Sequence, residues 1–543
     1  MLTQLSIPRA CLMFALGVIC LGTCALTSAE ELLPADRPLP EVVDYYVNAR
    51  LHEKNVTPVG RADDATLLRR LMLDLVGRIP TPPEVEEFTA DGDPDKLAKW
   101  VDRLLASEGF VRHQAEELNT LLIYPENNDL RKYLTEAVKE NRPWDQMFRE
   151  LMLVEGQAKA PEGAHEFLRA YVNDADRLTN EVSVRMFGIN VSCAKCHDHP
   201  LVEAWTQDHF YGMKSFFDRT FDNGGFIGER EYGLVSYQTV AGEKRDAQLM
   251  FLTGEMLDEP EHKEPTDKEK KQEKERLEKF KKEKQAPPPP EYSRRKRIVD
   301  VGLAPGGREF FAKAIVNRMV HRLYGYGLVM PLDQMHDEND PSHPELLEWL
   351  ARDFIAHSYD LQHLMRGLVL SETYARDSRW TSEDRPPMSY FAVANIRPLT
   401  PMQLGAALKI ATLDPDSLRD DMQVEDRDAL AERTAQSGRG LAGEFEMPRP
   451  DFEIGVDEAL FFSNNDRPQR ELLSGGLVNR LKEIEDDDQL IDTIYTQILL
   501  RSPEQQERDA LKQYLTERTD RREDARRHIV WALLSSSEFR FNY

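Results

Sequence analysis

The sequence predicts a mainly α-helical protein with two helical domains, a small β element near the end of the first, and a charged, proline-rich linker between them. Apolar residues recur at helical spacing in both halves, and capping signals mark several helix starts. The composition also breaks between residues 255 and 298. A chain of 543 residues is too long for one hydrophobic core, which favours two domains.

The overall charge restricts the classes of partner. The formal net charge is −26, so the surface repels nucleic-acid phosphates, and we expect no nucleic-acid partner. Charged residues make up 31% of the chain, which argues against a multi-span membrane protein. The sequence leaves any redox or protein partner unspecified.

The N-terminal segment predicts export. Arg9 precedes an apolar run from Cys11 to Leu26, and the small residues Thr27, Ser28 and Ala29 follow. This is the layout of a secretory signal peptide, predicted here at residues 1–29 with cleavage near Ala29. The apolar run is shorter than the roughly 20 residues that a membrane span needs, so we expect no integral span in the mature protein. The predicted location is periplasmic or extracellular.

Residues 30–254 are predicted to form the N-terminal helical domain. An apolar stripe around Leu68 and Leu75 ends at Gly77, and Thr81 to Glu84 forms a capping box for the next helix. We expect further helices over 130–140 and over 178–191, the latter leading to Cys193. Glycine, tyrosine and valine residues over 224–254 predict the small β element.

Residues 255–298 are predicted to be a linker, followed by a C-terminal helical domain over 299–543. Glu261 to Lys284 is almost all lysine and glutamate, which predicts a solvated helix. Four prolines and the basic patch Arg294 to Arg297 follow, which we interpret as a domain boundary. In the second domain, residues 414–455 are predicted to be a long surface loop region. A polar cluster there is expected to serve buried helix packing; it comprises Asn317, Arg318, His321 and His343.

The strongest candidate site is the octet from Cys193 to Pro200, with the sequence CAKCHDHP. Its two cysteines are the only ones left after the predicted cleavage, since the other three lie in the leader. C-x-x-C-H is the attachment signature of haem c, in which two thiols bond the haem vinyl groups and the histidine ligates iron. The sequence therefore favours a haem c site at Cys193, Cys196 and His197. The candidates for a distal ligand are Met186, His199, His209 and Met213.

Two other interpretations of the octet stay open. Cys193 and Cys196 have the spacing of zinc ligands, and His197, His199, His209 and Met213 are further candidate ligands for zinc or another transition metal. Alternatively, the two thiols form a disulfide or a dithiol redox pair, as is usual in an oxidising compartment. No serine-hydrolase, phosphate-binding or zinc-protease motif accompanies the octet, so no catalytic residue and no enzyme class is assigned.

These motifs resemble a family that is abundant in planctomycete genomes and pairs two domains of unknown function, numbers fifteen forty-nine and fifteen fifty-three. The first of these is also called a cytochrome-type domain. The matching segments are Leu67 to Pro83, Leu97 to Ser107, Cys193 to Pro200 with Trp205 to Asp208, Ala314 to Leu328, Pro341 to Ala351, Arg397 to Gln403, and Trp531 to Asn542. Many members carry a separate cytochrome c domain ahead of the first domain, and this sequence leaves no room for one after Ala29. The resemblance implies a site at the octet, and its cytochrome label is suggestive of haem.

The sequence thus predicts an exported protein with a haem c site and an electron-transfer or redox role. The alternative is a secreted binding or scaffold protein, or a metal-dependent enzyme, whose octet holds zinc, another metal or a disulfide.

Overall fold

Helices dominate the computed structural model, which describes residues 32–154, 161–199, 202, 205–261, 264–418, 421–448 and 470–543. These residues contain 24 α-helices and four two-stranded sheets, which confirms the predicted mainly α class. The predicted signal peptide lies outside the described residues. None of the described helices combines the length and apolarity that crossing a membrane requires.

The elements follow one another in a simple order. The helices of the first half are α1 Leu39–Glu53, α2 Asp64–Val76, α3 Pro82–Ala90, α4 Lys96–Leu105, α5 Glu108–Ile123, α6 Arg131–Lys139, α7 Trp144–Met152, α8 Glu166–Tyr171, α9 Ala175–Phe187, α10 Gln207–Ser215 and α11 Asp267–Glu283. Those of the second half are α12 Arg294–Gly302, α13 Gly307–Tyr324, α14 Pro344–Ala356, α15 Leu361–Val369, α16 Glu372–Ala375, α17 Pro401–Ala411, α18 Val424–Ser437, α19 Arg439–Ala442, α20 Leu477–Lys482, α21 Asp487–Ile498, α22 Gln505–Thr516, α23 Arg522–Leu534 and α24 Ser537–Arg540.

The strands are short and pair only as antiparallel couples. They are β1 Thr220–Asp222 with β2 Ile227–Glu229, β3 Ser236–Gln238 with β4 Lys244–Asp246, β5 Leu249–Met250 with β6 Met256–Leu257, and β7 Arg397–Pro398 with β8 Phe541–Asn542. The first three couples form the small β element predicted near the end of the first domain. The fourth joins the segment before α17 to the C-terminus.

Local signals placed several helix ends correctly. Gly77 ends α2 in the left-handed region at a φ of 73°, and the predicted capping box of Thr81 and Glu84 opens α3. The lysine- and glutamate-rich helix α11 has no buried residue, as predicted for a solvated helix. The predicted boundaries of the linker and the two domains stay a prediction.

The expectation of a surface loop over 414–455 is wrong for much of its length, because α18 and α19 lie there. Helix α18 packs against α17 through small residues, and Ala431 and Ala435 are its buried positions. Gly405 and Gly438 let the two backbones approach so closely that a Cβ on either would collide with the other's carbonyl group. Small residues leave no large apolar stripe, so the helical period was hidden among charged residues.

The basic patch at Arg294 to Arg297 is in part buried. Arg294 donates from Nε and Nη2 to the Glu259 carboxylate at 2.9 and 2.6 Å, and its backbone N–H donates to Glu229 at 2.6 Å. The Arg295 side chain is fully buried. These arginines start α12 and fasten it to the β element, so they do not form a free cationic surface.

Helix α2 lies between two hydrophobic cores. All but its first three residues are buried. Residues such as Leu71 and Leu75 pack in a larger core that runs from Leu39 to Val393 and draws on both halves of the chain. Leu73 packs in a second core built mainly by α17, α18 and α20–α24. One helix thus connects both cores, and burial on every side leaves it few tolerated substitutions.

A buried carboxylate in α2 binds three distant segments. Asp74 accepts two hydrogen bonds from the Arg397 guanidinium at 2.8 and 2.9 Å, one from the Tyr374 hydroxyl at 2.8 Å and one from Asn542 Nδ2 at 2.9 Å. Burial by itself lowers the pKa of Arg397, but the Asp74 carboxylate outweighs it and raises that pKa. Because all four donors point at one charge, this cluster is satisfied as a unit.

We expect D74A to destabilise the fold strongly, because it leaves the Arg397 guanidinium buried without its counter-charge. Removing one partner of a buried ion pair costs about 3–5 kcal/mol in the free energy of unfolding. Urea unfolding of wild type and D74A measures this cost. The control is D102A, which removes the exposed Asp102–Arg366 pair between α4 and α15 and should cost at most about 1 kcal/mol. Equal losses in the two variants would contradict the role given to Asp74.

Candidate functional site

The chain reaches the octet through a short pairing between the two halves. Helix α9 ends at Gly188 with a φ of 70°, and residues 188–190 then run antiparallel to residues 333–335. Met335 N–H donates to Gly188 O at 3.0 Å, and Asn190 N–H donates to Asp333 O at 2.8 Å. A second-half loop therefore lies directly beside the entrance to the octet.

The first three residues of the octet lie in a 3-10 turn over Ser192–Lys195. Ala194 is buried and anchors the turn, whereas Cys193 and Cys196 are free thiols that face solvent. Helix α10 holds the turn from one side, since Gln207 Nε2 and the Tyr211 hydroxyl both donate to Lys195 O, at 3.2 and 3.3 Å. The arrangement presents two thiols on a fixed backbone.

His197 is exposed and has one ring nitrogen engaged. Its Nδ1 lies 2.6 Å from Asp198 O, and a carbonyl oxygen can only accept, so Nδ1 carries the proton. The lone pair of the neutral ring is therefore on Nε2. Histidines that ligate metals characteristically donate their other N–H in this way, which fixes the tautomer and the ring.

The other histidines of the segment have the opposite tautomer. His199 Nδ1 accepts from Val202 N–H at 3.2 Å, and His209 Nδ1 accepts from Thr206 N–H at 3.3 Å in the capping box of α10. An accepting Nδ1 places the proton of the neutral ring on Nε2. As ligands through Nε2, both residues would first have to give up these bonds.

The two methionines named as distal candidates lie in the larger core. Met186 and Met213 are both fully buried. Pro200, the last residue of the octet, lies outside the described residues.

A histidine that the sequence did not single out lies against the octet. His336 follows the 333–335 pairing, and its ring centroid lies 6.0 Å from that of His199 and 5.7 Å from that of Trp205. The His336 residue is 9% exposed, and neither of its ring nitrogens has a hydrogen-bond partner. A buried polar group without a partner costs free energy, and such groups are concentrated where a fold serves a function.

The electrostatics of this cluster disfavour a charge on His199 and His336. Burial lowers the pKa of His336. The pKa of His199 is lowered by burial, then by His336, and then by His197, which shows that the three rings are close enough to repel one another when charged. Neutral imidazoles are the form that binds a metal.

The described side chains do not converge at the octet as in a tetrahedral metal site. Three potential ligand atoms lie within 4.8 Å of one another in one place of the described chain, at Asp353, His357 and His363. The octet thus offers two thiols and a histidine arranged along an exposed turn rather than around a point.

Two residues of the polar cluster named in the second domain serve packing as expected. Asn317 donates from Nδ2 to Val329 O at 2.8 Å and accepts from Val329 N–H at 3.0 Å. Arg318 donates to Val184 O at 2.8 Å, which fixes α13 on α9. Burial lowers the pKa of His321 and of His343 to about 4.

Comparison with known proteins identifies both halves of the chain. Residues 42–222 match the family model PSCyt2, described as a protein of unknown function (DUF1549), and residues 294–448 match PSD1, a protein of unknown function (DUF1553). No curated protein and no solved structure matches the chain. The octet lies within the first match and His336 within the second. The chain therefore belongs to the family that joins a DUF1549 domain to a DUF1553 domain.

Proposed function

We propose that this is an exported redox protein that carries haem c on Cys193 and Cys196, with His197 as an axial ligand. The observation that carries the proposal is the state of His197, which donates Nδ1–H to Asp198 O and keeps its Nε2 lone pair, directly after a turn that exposes two free thiols. Haem c attachment requires these three groups in this order. When bound, the haem would supply one-electron redox chemistry.

The described candidate ligand atoms of the octet do not surround a common point, and this favours haem over zinc as the bound group. A tetrahedral zinc site needs its ligand atoms about 3–4 Å apart, because each lies about 2.0–2.3 Å from the ion. Haem c needs no such convergence, since its thiols bond the edge of a porphyrin and only the histidine reaches the metal. An exposed turn with two exposed cysteines suits attachment to the edge of a porphyrin better than it suits tetrahedral zinc.

The surrounding residues hold the turn and leave the thiols accessible. Lys195 pairs with Asp176 at 2.7 Å, so its cation is directed to α9. Asp198 Oδ1 accepts from Gln207 N–H at 3.3 Å at the start of α10. His197 is thereby flanked by residues that are bound to the two neighbouring helices.

His336 is the second protein ligand in this proposal. It is buried, its pKa is lowered by that burial, and its ring nitrogens have no hydrogen-bond partner. The four candidates from the sequence are either fully buried in the core or accept a backbone N–H. A ligand from the second matched segment would make the occupied site depend on both family domains.

We expect the full-length protein from a host competent in cytochrome c maturation to carry haem that resists denaturation. The variant C193A/C196A should lose the covalent haem, because no thioether bond can form without the thiols. Absorption spectra and the mass of the denatured chain measure both effects. The control is S192A, which keeps the two thiols and His197. Stoichiometric zinc without visible absorbance would instead favour the metal-binding alternative. A disulfide between Cys193 and Cys196 in a protein with neither haem nor zinc would favour the scaffold alternative.

We expect H336A to keep the covalent haem but to change its absorption spectrum from six-coordinate to five-coordinate iron. The substitution removes no hydrogen bond, so the fold should tolerate it. Added imidazole should restore the spectrum by occupying the vacated position. The control is H343A, which removes another buried histidine of the second half, one that packs on Phe391. An unchanged H336A spectrum in a protein that does carry haem would rule out His336 as a ligand without affecting the attachment at Cys193 and Cys196.

A further inference from the structure

A second cluster of metal-ligating side chains lies where α14 turns into α15. Asp353 lies in the last turn of α14, His357 follows that helix directly, and His363 lies in the first turn of α15. Ser358 and Tyr359, with φ angles of 56° and 58°, make the tight reversal between the helices. The reversal places all three side chains on one side of the junction.

The ligand atoms of the three residues are close together. His357 Nδ1 donates to the Asp353 backbone carbonyl at 2.9 Å and lies 3.1 Å from one carboxylate oxygen of Asp353, and His363 Nε2 lies 2.9 Å from the other carboxylate oxygen. The two imidazole rings stack with their centroids 3.8 Å apart and their planes 19° apart. Ligand atoms at about 2.0–2.2 Å from a shared ion lie about 3 Å from one another, which is close to the spacing found here. An ion would take the place of the protons that His357 Nδ1 and His363 Nε2 now donate to Asp353.

The carboxylate of this cluster is buried and the two imidazoles are partly exposed, as an open metal site requires. The Asp353 side chain is 4% exposed and supplies a fixed negative charge from the protein side. The His357 and His363 side chains are 48% and 33% exposed, so an ion can enter from solvent. Asp360 adds a second negative charge nearby. Two stacked imidazolium rings would repel one another, whereas one cation shared by both neutral rings would not.

We propose that Asp353, His357 and His363 form a binding site for a divalent first-row transition ion such as Zn²⁺ or Co²⁺. Two imidazole nitrogens and one carboxylate oxygen are a donor set that suits these ions, whereas Mg²⁺ and Ca²⁺ prefer oxygen ligands alone. Three protein ligands leave coordination positions for water or a small anion. The site contains no sulfur and does not depend on what the octet binds.

The probe is Co²⁺, because its visible absorption reports the ligands. The titrated protein is the full chain with C193A/C196A in every sample, so that the octet thiols cannot contribute. We expect one Co²⁺ equivalent whose spectrum indicates nitrogen and oxygen ligands without sulfur. Zn²⁺ should displace it and should raise the melting temperature of the same protein, because an ion that binds only the folded state stabilises it.

The variants H357A and H363A test the assignment one ligand at a time, and each leaves the buried Asp353 with the other histidine as a partner. Loss of a ligand should weaken Co²⁺ binding by more than the roughly 10–100-fold that loss of an outer hydrogen-bond partner costs. The control is H165A, which removes a partly exposed histidine that lies 3.2 Å from the Glu166 carboxylate. Equal Co²⁺ affinity and stoichiometry in the C193A/C196A parent, H357A and H363A would overturn the proposal, as would failure of the parent to bind either ion.

Discussion

The fold depends on one buried carboxylate and the helix that carries it. Asp74 lies on α2, between the two hydrophobic cores, and its four hydrogen bonds come from segments that are remote in sequence. A charge in the interior is costly unless every lone pair is matched, so these donors must arrive together. The C-terminus and the segment at Arg397 are therefore fixed by the same interaction. This makes the packing of the two family domains specific as well as apolar.

The surroundings of the octet, like those of Asp74, are built from residues of both domains. Residues 188–190 pair with residues 333–335 immediately before Cys193, and His336 follows the pairing on the other chain segment. A displacement of the second domain would move His336 away from His199 and Trp205 while leaving the C-x-x-C-H sequence intact. The motif alone therefore does not define the site. Its surroundings come from a loop in the domain that has no cysteine.

Local sequence signals predicted the fold well where the cause of structure is local. Caps, glycine stops and apolar stripes depend on a few neighbouring residues, as in the box of Thr81 and Glu84. Contacts between residues that are far apart in the sequence were harder to predict. Asp74 is one of 96 acidic residues, although an acid between two leucines was a usable sign of a buried ion pair. His336 lies in an irregular loop without any period, and only the three-dimensional pairing brings it to the octet. The octet could be singled out as a candidate from the sequence because Cys193 and Cys196 are the only cysteines outside the predicted signal peptide.

Three neighbouring imidazoles differ in which ring nitrogen forms a hydrogen bond. His197 gives away Nδ1–H and keeps Nε2, His199 accepts at Nδ1, and His336 commits neither nitrogen. A buried group without a partner costs about 1–3 kcal/mol, a large fraction of the stability of a domain. Buried ring nitrogens of His113 and His343 also have no partner, so this cost alone does not mark a ligand site. What distinguishes His336 is its position against His199 and Trp205 next to the octet, where the haem that we propose would relieve the cost.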